Sequence, residues 1–358
     1  MTEVLSRRAL NRATLARQYL LERVPSRAID VIEHLGGMQS QAPLAPYVGL
    51  WTRLDGFEAG ELATLTENRD VIRSHLMRNT VHLVSARDCL GWRGLFAPLH
   101  AAEYSAHFPH GIDGVDLPAL LRDARQLLAE RPRSRAELGA LLAQGRPGAD
   151  PNALAYAVTH HIPLGQTPPR GIWGAGGRAL WTPVESWLGA PLRTVPVDEL
   201  VVRYLGAFGP ATVADVQTWS GLTRLREVVE RLPLRRFHDE TGQVLYDLPD
   251  APRPPAGTPA PPRFLPAYDN LLLAHRDRAR VITGNRPVPL PAGNGATVGT
   301  FLIDGRWAGT WRVTNGSLRI EPFARLRTAD RGALLAEAVR LSAFLARYTR
   351  DEPIVIDP

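Results

Sequence analysis

The sequence predicts an α+β protein, in which three tandem winged-helix modules are followed by a small β-barrel-like region and a closing helix. Three times along the chain, amphipathic helical segments precede a pair of short β-rich segments. A stretch rich in proline then leads into several short strands separated by turns. The expected units are residues 1–90, a connector at 91–115, then 116–190, 196–250, a linker at 251–262, and 263–358.

The first unit has helical spacing followed by a hairpin. Ser26 is expected to cap its second helix, and Arg78-Asn79 lies between two strand-like segments. The predicted helices span 11–21, 26–35, 45–54 and 58–66, and the predicted strands span 71–77 and 80–84.

The connector is rich in aromatic residues and histidine, with weak helical character. His107, His110 and Asp113 are close in sequence and carry metal-binding groups. Because no clear helix sets their spacing, we favour a packed or solvated loop, and we predict no metal site.

The second and third units repeat the pattern. The second has predicted helices at 117–130, 134–142 and 151–161, with strands at 171–174 and 178–181. The third has helix-turn-helix spacing, with helices at 196–208, 212–219 and 223–231 and a wing formed by 234–237 and 243–248. Each module either contacts a DNA groove or serves only in packing, and the pattern alone does not separate these.

The β-rich region follows a proline-rich linker that we expect to be semi-rigid and exposed. Turn signals at Asp304-Gly305 and Asn315-Gly316 separate its last three strands. The predicted strands are 264–266, 280–283, 297–303, 309–313 and 318–320, and the closing helix spans 330–348.

Composition excludes several kinds of site. Among 358 residues there is one cysteine, Cys89, so an internal disulfide and a multi-cysteine metal site are excluded. All 42 basic residues are arginine, which excludes a P-loop lysine and a lysine Schiff base. The net charge of +6 favours a polyanionic partner. Without a membrane-spanning or signal-peptide pattern, a cytoplasmic monomer with no cofactor and no membrane contact is expected.

One turn at 36–43 carries unusual chemistry. Gly36-Gly37 favours the end of a helix, and Pro43 prevents its resumption. If 38–42 is extended, Gln39 and Gln41 lie on the same side and together present amide donors and acceptors. The alternative is a turn whose amides satisfy backbone groups.

Five segments resemble one family, the winged-helix DNA glycosylases of the AlkZ and YcaQ type. The Gln-x-Gln turn at Gln39 and Gln41 resembles the AlkZ-like branch, although Ser40 stands where that family usually has an apolar residue. The resemblance covers about residues 5–348. The segments are 35–41, 77–83, 208–212, 265–270 and 303–307.

The resemblance implies excision of N7-alkylated guanine from double-stranded DNA, including bulky or crosslinked adducts. Some members protect antibiotic producers from their own DNA-alkylating product. Such a base is already a good leaving group, so the main requirement is a positioned water. We predict that Gln39 and Gln41 hold it, and that a monofunctional enzyme leaves an abasic site.

Other residues are candidates for contact with DNA. Arg78, Asn79 and His82 lie on or beside the first hairpin, although a histidine there can equally be packed. Asp269 is either a second polar residue of the site or a turn cap. Arg276, Arg278 and Arg280 alternate, and if extended they share a face that binds phosphates or is simply solvated.

A second class of function remains open, a transcriptional regulator that binds DNA through winged helices without chemistry. The glutamine pair separates the two classes, because a regulator does not need it.

Overall fold

The computed structural model describes residues 3–284, 286–289, 298–347 and 354–357, which form a mixed α and β fold. The helices are α1 Arg7–Arg17, α2 Ala28–His34, α3 Ala45–Trp51, α4 Ala59–Glu67, α5 Ala86–Trp92, α6 Ala97–His107, α7 Leu117–Glu130, α8 Arg135–Gln144, α9 Pro151–His161, α10 Val184–Leu188, α11 Val197–Phe208, α12 Val213–Ser220, α13 Arg226–Arg231 and α14 Thr328–Phe344. The strands are β1 Val4–Leu5, β2 Met38–Gln39, β3 Val71–His75, β4 Val81–Ser85, β5 Leu164–Gln166, β6 Trp181–Pro183, β7 Arg235–Asp239, β8 Val244–Asp247, β9 Arg263–Leu265, β10 Gly299–Ile303, β11 Arg306–Thr314, β12 Ser317–Pro322 and β13 Val355–Ile356.

The first hairpin is confirmed: β3 and β4 are antiparallel, joined through the short 3-10 helix Met77–Asn79. The first helix begins earlier than predicted, because Ser6 caps α1 by accepting a hydrogen bond from the backbone of Ala9. The Ser26 cap is wrong, since α2 begins at Ala28 and Arg27 occupies the cap position without a side-chain bond.

The connector is more helical than predicted, because α5, a 3-10 turn at Arg93–Phe96 and α6 follow one another through most of it. At its end, the His110 ring nitrogen lies 2.9 Å from Asp113 Oδ2, and both side chains are exposed. Within the described parts of the chain, no group of three histidine, cysteine or acidic residues has a metal-binding arrangement.

The second unit has its three predicted helices, with Ser134 accepting a hydrogen bond from Glu137 N at the start of α8. Its strands differ from the prediction and are β5 and β6. Gly171 and Gly174 adopt φ values of +90° and +73°, which break extended backbone where a strand was expected. Because β5 pairs with β3, the strands of the first two units form one five-stranded sheet, in the order β2-β4-β3-β5-β6.

The third unit has the predicted helix order and hairpin. A capping box between Thr212 and Asp215 starts α12, and Gly221 ends it at φ 80°. The last helix, α13, is shorter than the predicted 223–231, and its Arg231 pairs with Asp198. The β7–β8 hairpin is joined by β1, which pairs in parallel with β7.

The β-barrel-like prediction is wrong: in the described residues the C-terminal sheet is open, in the order β13-β12-β11-β10-β9. Instead of closing on itself, it packs against α14, whose Leu334 and Leu341 share a core with Phe264 and Ile320. The strand predicted at 280–283 is a turn. Thr297 and Tyr348, which bounded a predicted strand and helix, lie outside the described residues.

The proline-rich linker is less exposed than predicted, since its residues alternate between exposed and half-buried and it is tied to α1. Arg12 donates to the carbonyl of Thr258 at 2.6 Å, and Arg8 donates to Ala256 at 2.8 Å. None of the described helices is long and apolar enough to cross a membrane.

Candidate active site

The first glutamine of the turn is placed by a glycine pair and a strand pairing. Gly36 and Gly37 have φ values of 68° and 89°, and a Cβ on Gly37 would lie 2.5 Å from Val84 Cγ1. Only glycine therefore allows β2 to approach β4 this closely. The pairing sets Gln39, which is buried, directly opposite His82.

Arg78 holds the Gln39 amide in one orientation. Its Nη2 donates to Gln39 Oε1 at 2.8 Å and to Asn270 Oδ1 at 3.0 Å, and Nη1 donates to the backbone carbonyl of Trp219. Because a guanidinium only donates, the amide atom that faces it must be the oxygen. Burial lowers the pKa of Arg78 to about 10, so it remains a cation at neutral pH.

A small cavity adjoins this amide. It has a volume of about 20 Å³, enough for about one water molecule, and its walls include Gln39, Asp269 and Asn270. The side-chain nitrogen of Asn270 is buried and has no partner in the described residues. These polar groups make the cavity suitable for holding a single water.

Asp269 serves a structural role beside this cavity. Its two carboxylate oxygens each accept a 3.0 Å hydrogen bond from Arg53, and both side chains are nearly fully buried. Asp269 Oδ1 also accepts from Leu271 N at 3.0 Å, which is the turn cap that the sequence offered as an alternative. The pair fixes the β9 loop against α3.

The two glutamines do not lie on one side of an extended strand, contrary to the geometric prediction. The strand ends at Gln39, the chain bends, and Gln41 Oε1 accepts a long 3.5 Å contact from Val81 N. Gln41 lines a second, larger cavity of about 370 Å³, which does not include Gln39. The Gln39 and Gln41 side chains therefore line two different cavities.

The residue between the two glutamines, Ser40, accepts hydrogen bonds from a buried arginine. Arg73 donates from Nε to Ser40 Oγ at 3.0 Å, from Nη2 to Ser40 O at 2.7 Å, and from Nη1 to Gln166 Oε1 at 2.6 Å. Burial lowers the pKa of Arg73 to about 9. Ser40 thus locks the turn onto β3 and β5.

We expect Ser40→Ala to lower the free energy of unfolding by about 1–3 kcal/mol, because it leaves the buried Arg73 Nε without an acceptor. Urea denaturation measures the change. Ser105→Ala is the matched control, since Ser105 is exposed and bonds only its own helix. An unchanged unfolding midpoint for Ser40→Ala would show that Arg73 does not depend on this hydroxyl.

Two residues of the hairpin have internal partners. His82 is fully buried; its Nδ1–H donates to Thr80 O at 3.0 Å, and burial lowers its pKa to about 3, so it is neutral. Asn79 is half-buried, and its Nδ2 donates to His160 Nε2 at 3.0 Å. Asn79 reaches the larger cavity, whereas the burial of His82 favours its packing alternative.

The three alternating arginines do not share a face, because their segment is a turn rather than a strand. Arg276 is exposed and Arg278 is half-buried. Arg280 is buried and donates to Thr14 Oγ1 at 3.2 Å and to Pro210 O at 3.0 Å. Of these three arginines, Arg280 is thus engaged in the interior, and phosphate contact by Arg276 and Arg278 stays a prediction.

Comparison with known proteins identifies the group to which this fold and turn belong. The family model described as "DNA glycosylase AlkZ-like" matches residues 32–344. The chain belongs to the AlkZ-like DNA glycosylase family. The assignment makes it an enzyme with DNA as its substrate.

The fold agrees with a solved member of this family, the Streptomyces sahachiroi DNA glycosylase AlkZ. The two are 20% identical with a TM-score of 0.75, and the match covers 99% of this chain and 100% of the other. Comparison with curated protein sequences gave no match.

Sequence reasoning missed two residues that contact the Gln39–Gln41 turn. Asn270 shares the Arg78 guanidinium with Gln39, and Arg73 fixes the turn. The segment 265–270 was already a family-like motif that included Asn270. No local signal pointed to Arg73, whose partners are distant in sequence.

Proposed function

We propose that this AlkZ-like enzyme hydrolyses the N-glycosidic bond of N7-alkylated guanine in double-stranded DNA. The observation that supports it most is the Gln39 amide, oriented by Arg78 at the wall of a cavity that fits about one water. Alkylation at N7 makes guanine cationic, so the base leaves without a strong acid. The enzyme then has to supply a positioned water and a favourable electrostatic environment.

In this proposal the glutamines have separate tasks. One lone pair of Gln39 Oε1 accepts from Arg78, and the other is available to accept a hydrogen from the attacking water. Gln41, in the neighbouring cavity, contacts the lesion. This division replaces the expectation that both amides hold the water from one side.

The reaction is monofunctional. The sequence contains no lysine, so no lysine amine can form a Schiff base with the opened sugar. The product is an abasic site in an otherwise intact strand. Borohydride treatment during the reaction is accordingly expected to trap no covalent protein–DNA complex.

We propose that a monomer binds the duplex through three winged-helix modules and an arginine-rich surface. Arg276 is exposed beside α12, where its backbone N–H donates to Asp215 Oδ1 at 2.8 Å. The half-buried Arg278 is close enough to Arg78 for its charge to lower the Arg78 pKa, which connects this arginine segment to the site. We extend the substrates to bulky N7 adducts and interstrand crosslinks, with self-resistance to a DNA-alkylating natural product as the biological role.

The test is incubation of the protein with a duplex that carries one 7-methylguanine, followed by alkaline cleavage. The proposal predicts a single break at the lesion, and an unmodified duplex serves as the control. A purely regulatory protein would bind the duplex and leave no alkali-labile site. No break with 7-methylguanine or with bulkier N7 adducts would reject the enzymatic proposal.

A further inference from the structure

The larger cavity beside Gln41 has the walls of a binding site for a ring system. Its volume of about 370 Å³ is at the lower end of pockets that hold drug-sized molecules. Phe108 and Tyr156, with ring centroids 5.2 Å apart, form part of its wall, and Trp181 forms another. Both Phe108 and Tyr156 are half-buried and thus reachable from the cavity.

The charges around this cavity have one sign. Arg73, Arg135 and Arg170 line it, and the described lining includes no acidic residue. The Arg135 guanidinium lies 4.4 Å from the centre of the Tyr156 ring. Arginine stacks well on neutral aromatic faces, whereas a cationic ring would be repelled. The N7-alkylated guanine ring, which is cationic, therefore fits this cavity poorly.

Polar groups at the cavity are also incompletely satisfied. Asn79 Oδ1, His75 Nδ1, Trp181 Nε1 and Arg170 Nε belong to its lining residues, are buried, and have no hydrogen-bond partner in the described residues. A buried polar group without a partner typically costs about 1–3 kcal/mol and calls for a physical reason. Because these atoms are buried below the cavity surface, the aromatic rings and the arginines define the ligand, and these polar atoms do not.

We propose that this cavity binds a neutral, planar aromatic substituent carried on N7 of the damaged guanine. The inference rests on the proposed function, because Gln41 at the edge of the cavity places the substituent next to the reacting base. The cationic base stays outside, and its substituent packs against the Phe108–Tyr156 wall and the Arg135 guanidinium, which also lies 5.9 Å from the centre of the Trp181 ring. The cavity therefore determines specificity for the adduct and takes no part in bond cleavage.

The experiment compares three duplexes that carry 7-methylguanine, 7-benzylguanine or 7-(cyclohexylmethyl)guanine. The last two substituents are similar in size, but only benzyl is planar and aromatic. We expect the wild type to excise benzylguanine with a kcat/KM about tenfold above that for the cyclohexylmethyl adduct, which is typical of aromatic stacking.

Two variants test the walls, Tyr156→Leu and Phe108→Leu, and each is expected to remove most of the benzyl preference. Trp187→Leu is the matched control, because Trp187 is also half-buried but lies outside the cavity, and it should retain the preference. Far-UV circular dichroism verifies folding, and the ratio of two substrates cancels any loss of active protein.

Equal excision of the two bulky adducts by the wild type, or a preference that survives both wall variants, would overturn the inference. Excision of 7-methylguanine in that case leaves the proposed function standing. If none of the three adducts is excised, the proposed function fails and this inference fails with it.

Discussion

Replacing Gln39 and Gln41 together by alanine is expected to lower the single-turnover rate of 7-methylguanine excision by about 10²–10⁴-fold. Removing a group that positions a reactant or stabilises developing charge typically has an effect of this size. The fold should be retained, because the backbone pairing of β2 with β4 and the Ser40–Arg73 contacts do not use either amide. The rate is measured with enzyme in excess over duplex.

The two single variants are expected to differ in how much of the excision rate they lose. Gln39→Ala should account for most of it with every adduct, because Gln39 faces the cavity suited to one water. Gln41→Ala should depend more on the size of the adduct, since Gln41 faces the larger cavity. Gln144→Ala, on the exposed end of α8, is the matched control and should retain the wild-type rate. A double variant that cuts as fast as wild type would remove both residues from the mechanism.

Asp269→Ala is expected to lower the free energy of unfolding by about 3–5 kcal/mol, because it leaves the Arg53 guanidinium buried without its counter-ion. In the wild type, both Arg53 terminal nitrogens donate to Asp269 at 3.0 Å, and the side chains are 1% and 3% exposed. Two further acceptors, Gly49 O and Gln18 Oε1, keep Arg53 in place. Urea denaturation monitored by tryptophan fluorescence measures the loss.

The matched control is Asp30→Ala, which breaks a bidentate pair with Arg27 on the surface. Exposed pairs contribute little, so its unfolding midpoint should stay close to that of the wild type. Replacing both members of the buried pair, as in Arg53→Met with Asp269→Leu, should restore part of the stability. A normal unfolding midpoint for Asp269→Ala would contradict the structural role and favour a direct role in the reaction.

Local patterns predicted the elements whose stability is local. The bounds of α7 and α9 were predictable from apolar spacing, and the first hairpin from two β-rich runs around Arg78-Asn79. In the structure the side chains of Asp116 and Asp150 cap these two helices, which the sequence analysis did not predict. For such elements, apolar spacing and the turn residues between the segments are sufficient to predict the secondary structure.

Features that depend on distant partners were not predictable. Gln39 and Gln41 separate because β2 ends its pairing with β4, and because Arg73 on β3, which also donates to Gln166 on β5, holds Ser40. The C-terminal strands form an open sheet whose apolar residues share one core with α14 and also with Val31 of α2 and Tyr47 of α3, far earlier in the sequence than Ile320. The alternation of apolar and polar residues along a strand predicts neither the separation of the two glutamines nor the open C-terminal sheet.

The reaction that we propose is hydrolysis of the bond between an N7-alkylated guanine and its sugar. The most direct measurement is detection of the free base by mass spectrometry, after incubation of excess protein with a duplex containing 7-methylguanine. The wild type should release free 7-methylguanine and leave an equal amount of abasic site, with the strand intact before alkali and with the yield lost in the Gln39→Ala, Gln41→Ala variant. A duplex that is bound but retains all its 7-methylguanine, and likewise retains the bulkier N7 adducts, would contradict it.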